Sequence, residues 1–568
     1  EAAEAAQQGW TSERWYGALF RRRPLSEEEL ARWASPAGEA RDGLVVPADN
    51  PFVPHDFRLR CDDLPGTSEP PKTALEVTPP TELRPADSAA SGFLRLWSKT
   101  DSTFRVPKVH VNTHVMTPIY SMGPAAVVML RLFCSLLSDD LNTFLYSATT
   151  AGLSYNVQFS DRFSFAVGGF SDKLPELLAA VAGRLRSLQG ELAEAAGEQS
   201  SASATELREY WAERLDTQRE LLLRSYENFF KEDPLDVVDY NLRQVLLANM
   251  WHISEYVDVL NGTDGERLLQ PLSEKVSAAL SRIRLEVLAH GNVVAKETED
   301  MAKVITSSFV DEGASEPLPD AELPKNSVVL LPPEPQGVTV FDFDLEAVNP
   351  VEENSAIANL YQVGPVGKDL QRDASLFVLA HLADTSAFDQ LRTKEQLGYV
   401  ASAGLFRFYG VDSLIVQVQG PRLSPAGLDE RIEAWLVQFR AELEAMPEET
   451  FAANVRALVQ VRSQRDKMLA QEVGRHWEEI VKRTYRFDRL RAEVAALGEV
   501  TQKDVLALFD SHIAMGGELR RKLSSRVTGA AARKSDSKTP TTSENVRLLR
   551  TLDEVRSFKG SLPTHSEG

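Results

Sequence analysis

The stretch LRTKEQLGYV, residues 391–400, places an arginine and a tyrosine seven positions apart. The Arg392 guanidinium can donate several hydrogen bonds to carbonyl or carboxylate oxygens, and the Tyr399 phenol can donate one to a developing negative charge. The stretch contains no histidine or cysteine that could act as a base or nucleophile. The two residues could therefore bind and polarise a substrate, but the attacking group must come from elsewhere.

A purely structural role is the alternative for the same two residues. Arg392 would pair with Asp389 or Glu395 near a helix end, and Tyr399 would be a core aromatic at the start of a strand. Residues 394–396 would then be surface residues of the helix end.

The histidines are the other groups that could do chemistry, as metal ligands. His110 and His114 are four apart in KVHVNTHVMTP, where apolar and polar residues alternate as in a half-buried strand. Four steps along a strand span about 13 Å, which is too far for one zinc ion. This pair is therefore not predicted to bind a metal.

Two further histidine motifs also fall short of a metal site. In HWEEI, His476 and Glu479 fit the first four positions of a His-x-x-Glu-His helix, but Ile480 replaces the second histidine. We interpret this segment as a helix surface with His476 partly packed. His290 in LAHGN follows a strand pattern and reads as structural. The sequence thus predicts no metal site in this chain.

Length and composition limit the architecture and the partners. The 568 residues are too many for one core and indicate two domains of about 200 to 250 residues. A formal net charge of −21 argues against a nucleic-acid partner. The two cysteines exclude a disulfide framework and favour a reducing compartment. The longest apolar run, 125–137, contains Arg131 and is too short for a membrane span.

Two long segments repeat one pattern of elements. Each runs from an apolar helix through a corner, AGLSYNVQF in the first and QLGYVASAGLF in the second, into two strands and another helix. The later helices begin at Leu174 and Pro425, and each has an apolar face. The repeat predicts an α+β fold of two homologous domains, each with helices on one face of a largely antiparallel sheet.

Other segments are assigned from local composition. Ser26 and Glu29 predict a capping box for a helix at 26–34. The Pro-rich residues 61–92 read as a linker, residues 192–206 as a flexible surface insertion, and residues 528–545 as disordered.

LRTKEQLGYV resembles the signature of the C-terminal half of the insulinase-like, pitrilysin-related zinc metallopeptidases. Other segments resemble the same family in the same order, and together they extend over nearly the whole chain: ERWYGALF (13–20), NPFVPHDF (50–57), LWSKTDSTFRVPKVHVN (96–112), AGLSYNVQ (151–158), LAHGN (288–292), HWEEIVKRTYRFDR (476–489), VTQKDVLALF (500–509) and LDEVRSFKGSLP (552–563).

The resemblance implies four homologous α+β domains in two halves that close around a chamber for oligopeptides. Residues 1–35 would end the second domain, 36–90 would be the linker and entry segment, 91–325 the third domain, and 326–568 the fourth domain with a partly disordered tail. The family's zinc would be bound by a His-x-x-Glu-His motif in the N-terminal half, and this sequence contains no such motif. By similarity, Tyr399 would stabilise the oxyanion and Arg392 would hold the substrate backbone.

Three explanations for the missing motif remain open. It could precede Glu1 in a longer chain, lie on a separate polypeptide, or be absent because the protein is a non-catalytic peptide- or partner-binding subunit. Glutamate rather than methionine at position 1 favours the first. On the peptidase interpretation, this chain alone is expected to be inactive. Its expected partners are peptide substrates, the N-terminal half and a second copy of itself, and the expected location is cytoplasmic.

Overall fold

The computed structural model describes residues 10–34, 48–63, 71–84, 92–160, 162–197, 201–310, 315–333, 338–344, 348–535 and 546–566. The chain separates into two compact units, Glu1–Pro51 and Phe52–Gly568.

In the first unit, strand β1 (Thr11–Ser12) pairs antiparallel with β2 (Leu19–Phe20), and helix α1 covers Glu27–Ala34. The predicted capping box is present. The Ser26 backbone N–H donates to the Glu29 carboxylate at 2.9 Å, and the Glu29 N–H donates to Ser26 Oγ at 3.2 Å. The helix therefore begins where the sequence indicates.

The second unit contains two large sheets. Strands of the first sheet are β3 (Thr81–Leu83), β4 (Leu94–Thr100), β5 (Lys108–Met116), β6 (Ser154–Phe159), β7 (Phe163–Phe170) and β8 (Arg282–Gly291). Their order is β3-β4-β8-β5-β7-β6, and every neighbouring pair is antiparallel except β4 and β8. The short strand β9 (Glu316–Pro317) also pairs with β8. The Pro-rich segment 61–92 thus contributes β3 to this sheet.

The helices between and after these strands in sequence form the core on one face of the first sheet. They are α2 (Pro124–Phe144), α3 (Tyr146–Thr150), α4 (Leu174–Ala196), α5 (Ala202–Phe229), α6 (Pro234–Leu246), α7 (Ile253–Leu260), α8 (Gly265–Leu280) and α9 (Ala295–Phe309). The apolar face predicted for the helix at Leu174 is buried, as are the apolar residues of 126–137. Helix α6 is the exception, because its apolar face packs on the second sheet.

Strands of the second sheet are β11 (Val338–Asp344), β12 (Ser355–Pro365), β13 (Val400–Phe408), β14 (Val411–Gly420), β15 (Lys522–Thr528) and β16 (Val546–Leu549), in the order β13-β14-β12-β15-β11-β16. The pair β10 (Ser327–Val329) and β17 (Thr564–Ser566) forms a small antiparallel ribbon. The helices are α10 (Leu370–Ala387), α11 (Pro425–Ala445), α12 (Glu448–Ser463), α13 (Leu469–Val481), α14 (Arg489–Gly498), α15 (Gln502–His512), α16 (Ala530–Ser535) and α17 (Leu552–Gly560).

The two sheets share one topology, and each sheet with its helices is called a copy of the fold. Strands β6, β7, β5, β8 and β4 occupy the same places as β13, β14, β12, β15 and β11, with the same relative directions. Only the outermost pair differs, since β3 is antiparallel and β16 parallel to its neighbour. The predicted α+β fold with two similar, mostly antiparallel sheets is confirmed.

The copies also exchange helices. Helix α6, which lies in sequence among the first sheet's helices, packs through Val238 and Leu242 on the face of the second sheet away from α10 and α11. In return, α13 packs through Leu469 and Val473 against Trp97 and Leu288 of the first sheet. Each sheet therefore needs a helix from the other copy to cover its second face.

Two predictions from composition need correction. Most of 192–206 is not an insertion loop, because α4 extends to Ala196 and α5 begins at Ala202 with Ser201 as its N-cap. The small polar residues there lie at the ends of these two helices. Such residues are common both at helix ends and in loops, so composition alone does not distinguish the two. In the segment 528–545, residues 530–535 form α16, and residues 536–545 lie outside the described residues.

None of the helices in the described part of the chain is long and apolar enough to cross a membrane.

Candidate active-site corner at Arg392 and Tyr399

Arg392 and Tyr399 meet at the corner that leads from α10 into β13. Helix α10 continues as a π-helical turn, Phe388–Lys394, in which the Glu395 N–H donates to the Gln390 carbonyl at 2.9 Å. The Arg392 guanidinium carbon lies 4.8 Å from the centre of the Tyr399 ring and 4.7 Å from that of Phe388. The two polar groups separated by seven positions in sequence are thus neighbours in space.

The backbone of this corner has little freedom. Leu391 and Leu397 are buried, and the Leu397 N–H donates to the Leu391 carbonyl at 3.1 Å. Gln396 between them has a positive φ of 53°. Gly398 passes so close to β14 that a β-carbon there would lie 1.8 Å from the Gln419 carbonyl oxygen. Only glycine fits where the backbone passes this close to β14, so the close approach requires the glycine of the Leu-Gly-Tyr sequence.

The carboxylates that could have paired with Arg392 are engaged elsewhere. Glu395 is held by two hydrogen bonds from Arg431, at 2.7 and 2.9 Å, and these lower the pKa of its carboxyl. Asp389 pairs with Lys394 at 2.7 Å. Arg392 forms no ion pair with any residue that the structure describes.

Tyr399 is not a core aromatic, because 82% of its surface is exposed. The corner therefore holds a half-buried arginine beside an exposed tyrosine on a fixed backbone. Such donors can bind carbonyl oxygens and stabilise an oxyanion. They supply no base or nucleophile, so this corner by itself can hold a substrate but cannot cleave it.

The structure places the histidine motifs in different environments. His110 and His114 lie on β5, as the alternation predicts. His476 is 2% exposed rather than on a helix surface, and it lies beside His290 with the two ring centres 5.4 Å apart. Glu472 joins them, so three groups able to bind a metal come together. The sequence signal for this cluster was the spacing of Glu472 and His476, one helical turn apart on α13, but the third member is distant in sequence.

A cavity of about 720 Å³ lies between the helices of the first copy and the strand β13 of the second. Aromatic residues line much of it, including Tyr226, Tyr256 and Trp251. The Arg131 guanidinium faces it and donates to the Tyr226 hydroxyl at 2.6 Å. Arg392 and Tyr399 are not among its lining residues, so the corner is a surface site and not part of this cavity.

Comparison with known proteins agrees with these observations. A family model described as the middle or third domain of peptidase M16 matches residues 2–259, and one described as the C-terminal lobe domain 4 of PqqF-like PQQ synthase matches residues 378–477. The chain is similar to the peroxisomal insulin-degrading enzyme-like 1 of Arabidopsis thaliana, with 28% identity over 98% of this chain and 52% of that protein. It is also similar to the insulin-degrading enzyme of Homo sapiens, with 28% identity over 93% of this chain and 46% of that protein.

A solved structure shows the same fold. The crystal structure of pitrilysin matches with a TM-score of 0.72 and 18% identity, over 96% of this chain and 51% of that chain. The chain spans about half the length of the relatives it matches. The ordered sequence similarity, the two family models and the paired sheets agree: the chain is similar to the C-terminal half of the insulinase-like M16 peptidases.

Proposed function

We propose that this chain supplies the substrate-holding half of a split active site in a zinc metalloendopeptidase that hydrolyses oligopeptides. Tyr399 donates its phenolic hydrogen to the carbonyl oxygen that becomes negative as the peptide bond is attacked. Arg392 donates to backbone carbonyls of the bound peptide. The observation that carries the proposal is that the two donors are adjacent, with Tyr399 exposed and Arg392 half-buried, and that the neighbouring carboxylates are engaged with other cations.

This chain does not carry the zinc motif that the family resemblance implies. No His-x-x-Glu-His occurs in the sequence, and HWEEI lacks the second histidine. The zinc and the attacking water are therefore assigned to an N-terminal half, in the same or a separate chain. What this chain contributes is orientation and charge stabilisation, for which one well-placed donor is worth about 3 kcal/mol in the transition state.

The test is to combine this chain with an N-terminal half that carries the zinc motif and to measure cleavage of a fluorogenic oligopeptide. Tyr399→Phe removes only the hydroxyl, and we expect kcat to fall about 100-fold while KM changes little. Arg392→Ala removes a ground-state contact as well, so we expect KM to rise.

A matched control is available for the tyrosine. Tyr146→Phe removes a hydroxyl from another surface tyrosine, which is 69% exposed on α3, and its kinetics should equal those of the unaltered protein. Full activity in both Tyr399→Phe and Arg392→Ala would show that the assigned roles are wrong.

A second function is a non-catalytic peptide- or partner-binding subunit. One observation favours it: the crystal structure of a peptidase M16 inactive domain from Pseudomonas fluorescens matches with a TM-score of 0.56 over 80% of this chain and 98% of that chain. The coding sequence upstream of Glu1 discriminates between the two. An in-frame His-x-x-Glu-His motif supports the peptidase, and a start codon close to Glu1 supports the binding subunit.

A further inference from the structure

Three buried side chains meet where α13 packs on the first sheet. His290 projects from β8, while Glu472 and His476 lie one turn apart on α13. Each offers a ligand atom, and these atoms all lie within 4.8 Å of one another. The three residues are 0%, 0% and 2% exposed, so the cluster is closed to bulk water.

The hydrogen bonds of this cluster are incomplete. Nδ1 of His290, Nδ1 of His476 and Oε2 of Glu472 have no hydrogen-bond partner and almost no contact with solvent. Buried polar atoms are normally paired, since each unpaired one costs about 1 to 3 kcal/mol. Three such atoms in one cluster indicate that a group which would engage them belongs there.

The spacing of the cluster suits a metal ion. Nε2 of His290 lies 3.2 Å from Oε1 of Glu472, yet the two are not aligned as a hydrogen bond. Ligands of a tetrahedral zinc, bound at about 2.0 to 2.1 Å, are separated from one another by about 3.3 Å.

Lys99 is the group that a metal ion must compete with. Its Nζ lies 2.5 Å from Oε1 of Glu472, and the lysine side chain is 7% exposed. The ammonium engages a single carboxylate oxygen and leaves both ring nitrogens of His290 and Nδ1 of His476 without a hydrogen-bond partner. It therefore accounts for part of the cluster only.

We propose that His290, Glu472 and His476 form a divalent-metal site that ties α13 to the first sheet, with zinc as the ion best suited to two imidazoles and one carboxylate. The site joins the two copies of the fold at one of their exchanged helices. When the metal binds, it takes the place of the Lys99 ammonium beside Glu472. The residues come from segments about 180 positions apart, so the ion acts as a clamp between the copies.

The test uses the full chain after removal of metals with a chelator. Equilibrium dialysis against zinc is expected to give one bound ion per chain, with a dissociation constant below about 1 µM. Cobalt(II) in place of zinc should give the intense visible absorption of a tetrahedral site.

Variants locate the ion. His290→Ala and His476→Ala should abolish the cobalt spectrum, and His476→Gln, which keeps most of the buried volume, serves if the alanine variant fails to fold. His381→Ala removes an exposed histidine of α10 and should bind normally. Lys99→Met should tighten zinc binding at least tenfold, since the competing cation is gone.

Zinc should also raise the unfolding temperature of the unaltered chain and leave that of His476→Gln unchanged. The proposal is overturned if the unaltered chain binds less than a tenth of an equivalent of zinc under these conditions. It is equally overturned if His476→Gln and His290→Ala bind as tightly as the unaltered chain, because the ion is then adventitious.

Discussion

Replacement of Gly398 by alanine is expected to distort the candidate active-site corner while leaving its two polar side chains chemically intact. The new β-carbon would lie 1.8 Å from the Gln419 carbonyl oxygen, 2.6 Å from the Gln419 carbonyl carbon and 2.7 Å from Gly420 Cα. All three are backbone atoms, so no side-chain rotation relieves the contact. An ordinary contact of 3.4 Å requires the corner and β14 to separate by about 1.6 Å.

The magnitude follows from this displacement. Forcing one methyl group into this closed backbone contact costs about 3 kcal/mol of unfolding free energy, which for a chain of this size lowers the unfolding temperature by about 2 to 3 °C. Tyr399 is the next residue and must move with the corner. A shift of about 1 Å in a substrate-positioning group costs about 100-fold in rate. Gly398→Ala should thus resemble Tyr399→Phe in peptide cleavage while also being less stable.

Gly404→Ala is the matched control. Gly404 is also a glycine of β13, but a β-carbon there has no neighbour within 4 Å. Thermal unfolding by circular dichroism and peptide cleavage with an N-terminal half are measured for both variants. If Gly398→Ala unfolds within 1 °C of Gly404→Ala and cleaves as fast, the close approach to β14 is not rigid and the geometric reasoning is refuted.

Two further predictions concern buried charge. Burial raises the pKa of Glu286 from 4.5 to about 7, so this group's stabilising contribution is present below pH 4.5 and is lost as the pH rises through 7. In urea unfolding at pH 5 and pH 8, the unaltered chain should lose about 2 to 3 kcal/mol more stability than Glu286→Gln, and equal losses would contradict this account. Glu433→Gln should lower the free energy of unfolding by about 3 to 5 kcal/mol. Arg520 and Lys522 lie 2.6 and 2.7 Å from Glu433, and in the variant their buried charges would have one carboxylate fewer to pair with. Glu444→Gln on the same helix is the control, since Glu444 is 64% exposed and should change stability by less than about 0.5 kcal/mol.

Much of the fold was accessible from local patterns. The apolar face from Leu174, the Ser26 capping box and the helix start at Pro425 all lie where the sequence indicates. These features depend on residues a few positions apart, for which periodicity and capping chemistry suffice. The repeat was visible for the same reason, because both copies keep the same local order of helix, corner and strands.

The parts that escaped prediction depend on contacts between distant segments. No distinctive residue composition marks the π-helical turn that brings Arg392 against Tyr399. The amphipathic patterns of α6 and α13 do not show which of the two sheets each helix packs on. His290 and His476 each resemble a structural histidine when taken alone. Only the packing of α13 on β8 shows that they share a cluster with Glu472.

Exchange of helices between the copies has a consequence for biosynthesis. The Ser525 hydroxyl donates to the Val238 carbonyl across 287 positions of sequence. At about 5 to 20 residues per second, the ribosome completes β15 some 15 to 60 s after α6 has emerged. During that interval the apolar face of α6 has no sheet to cover. The nascent first copy therefore carries an exposed apolar helix, and we expect it to depend on a chaperone until the second copy is made.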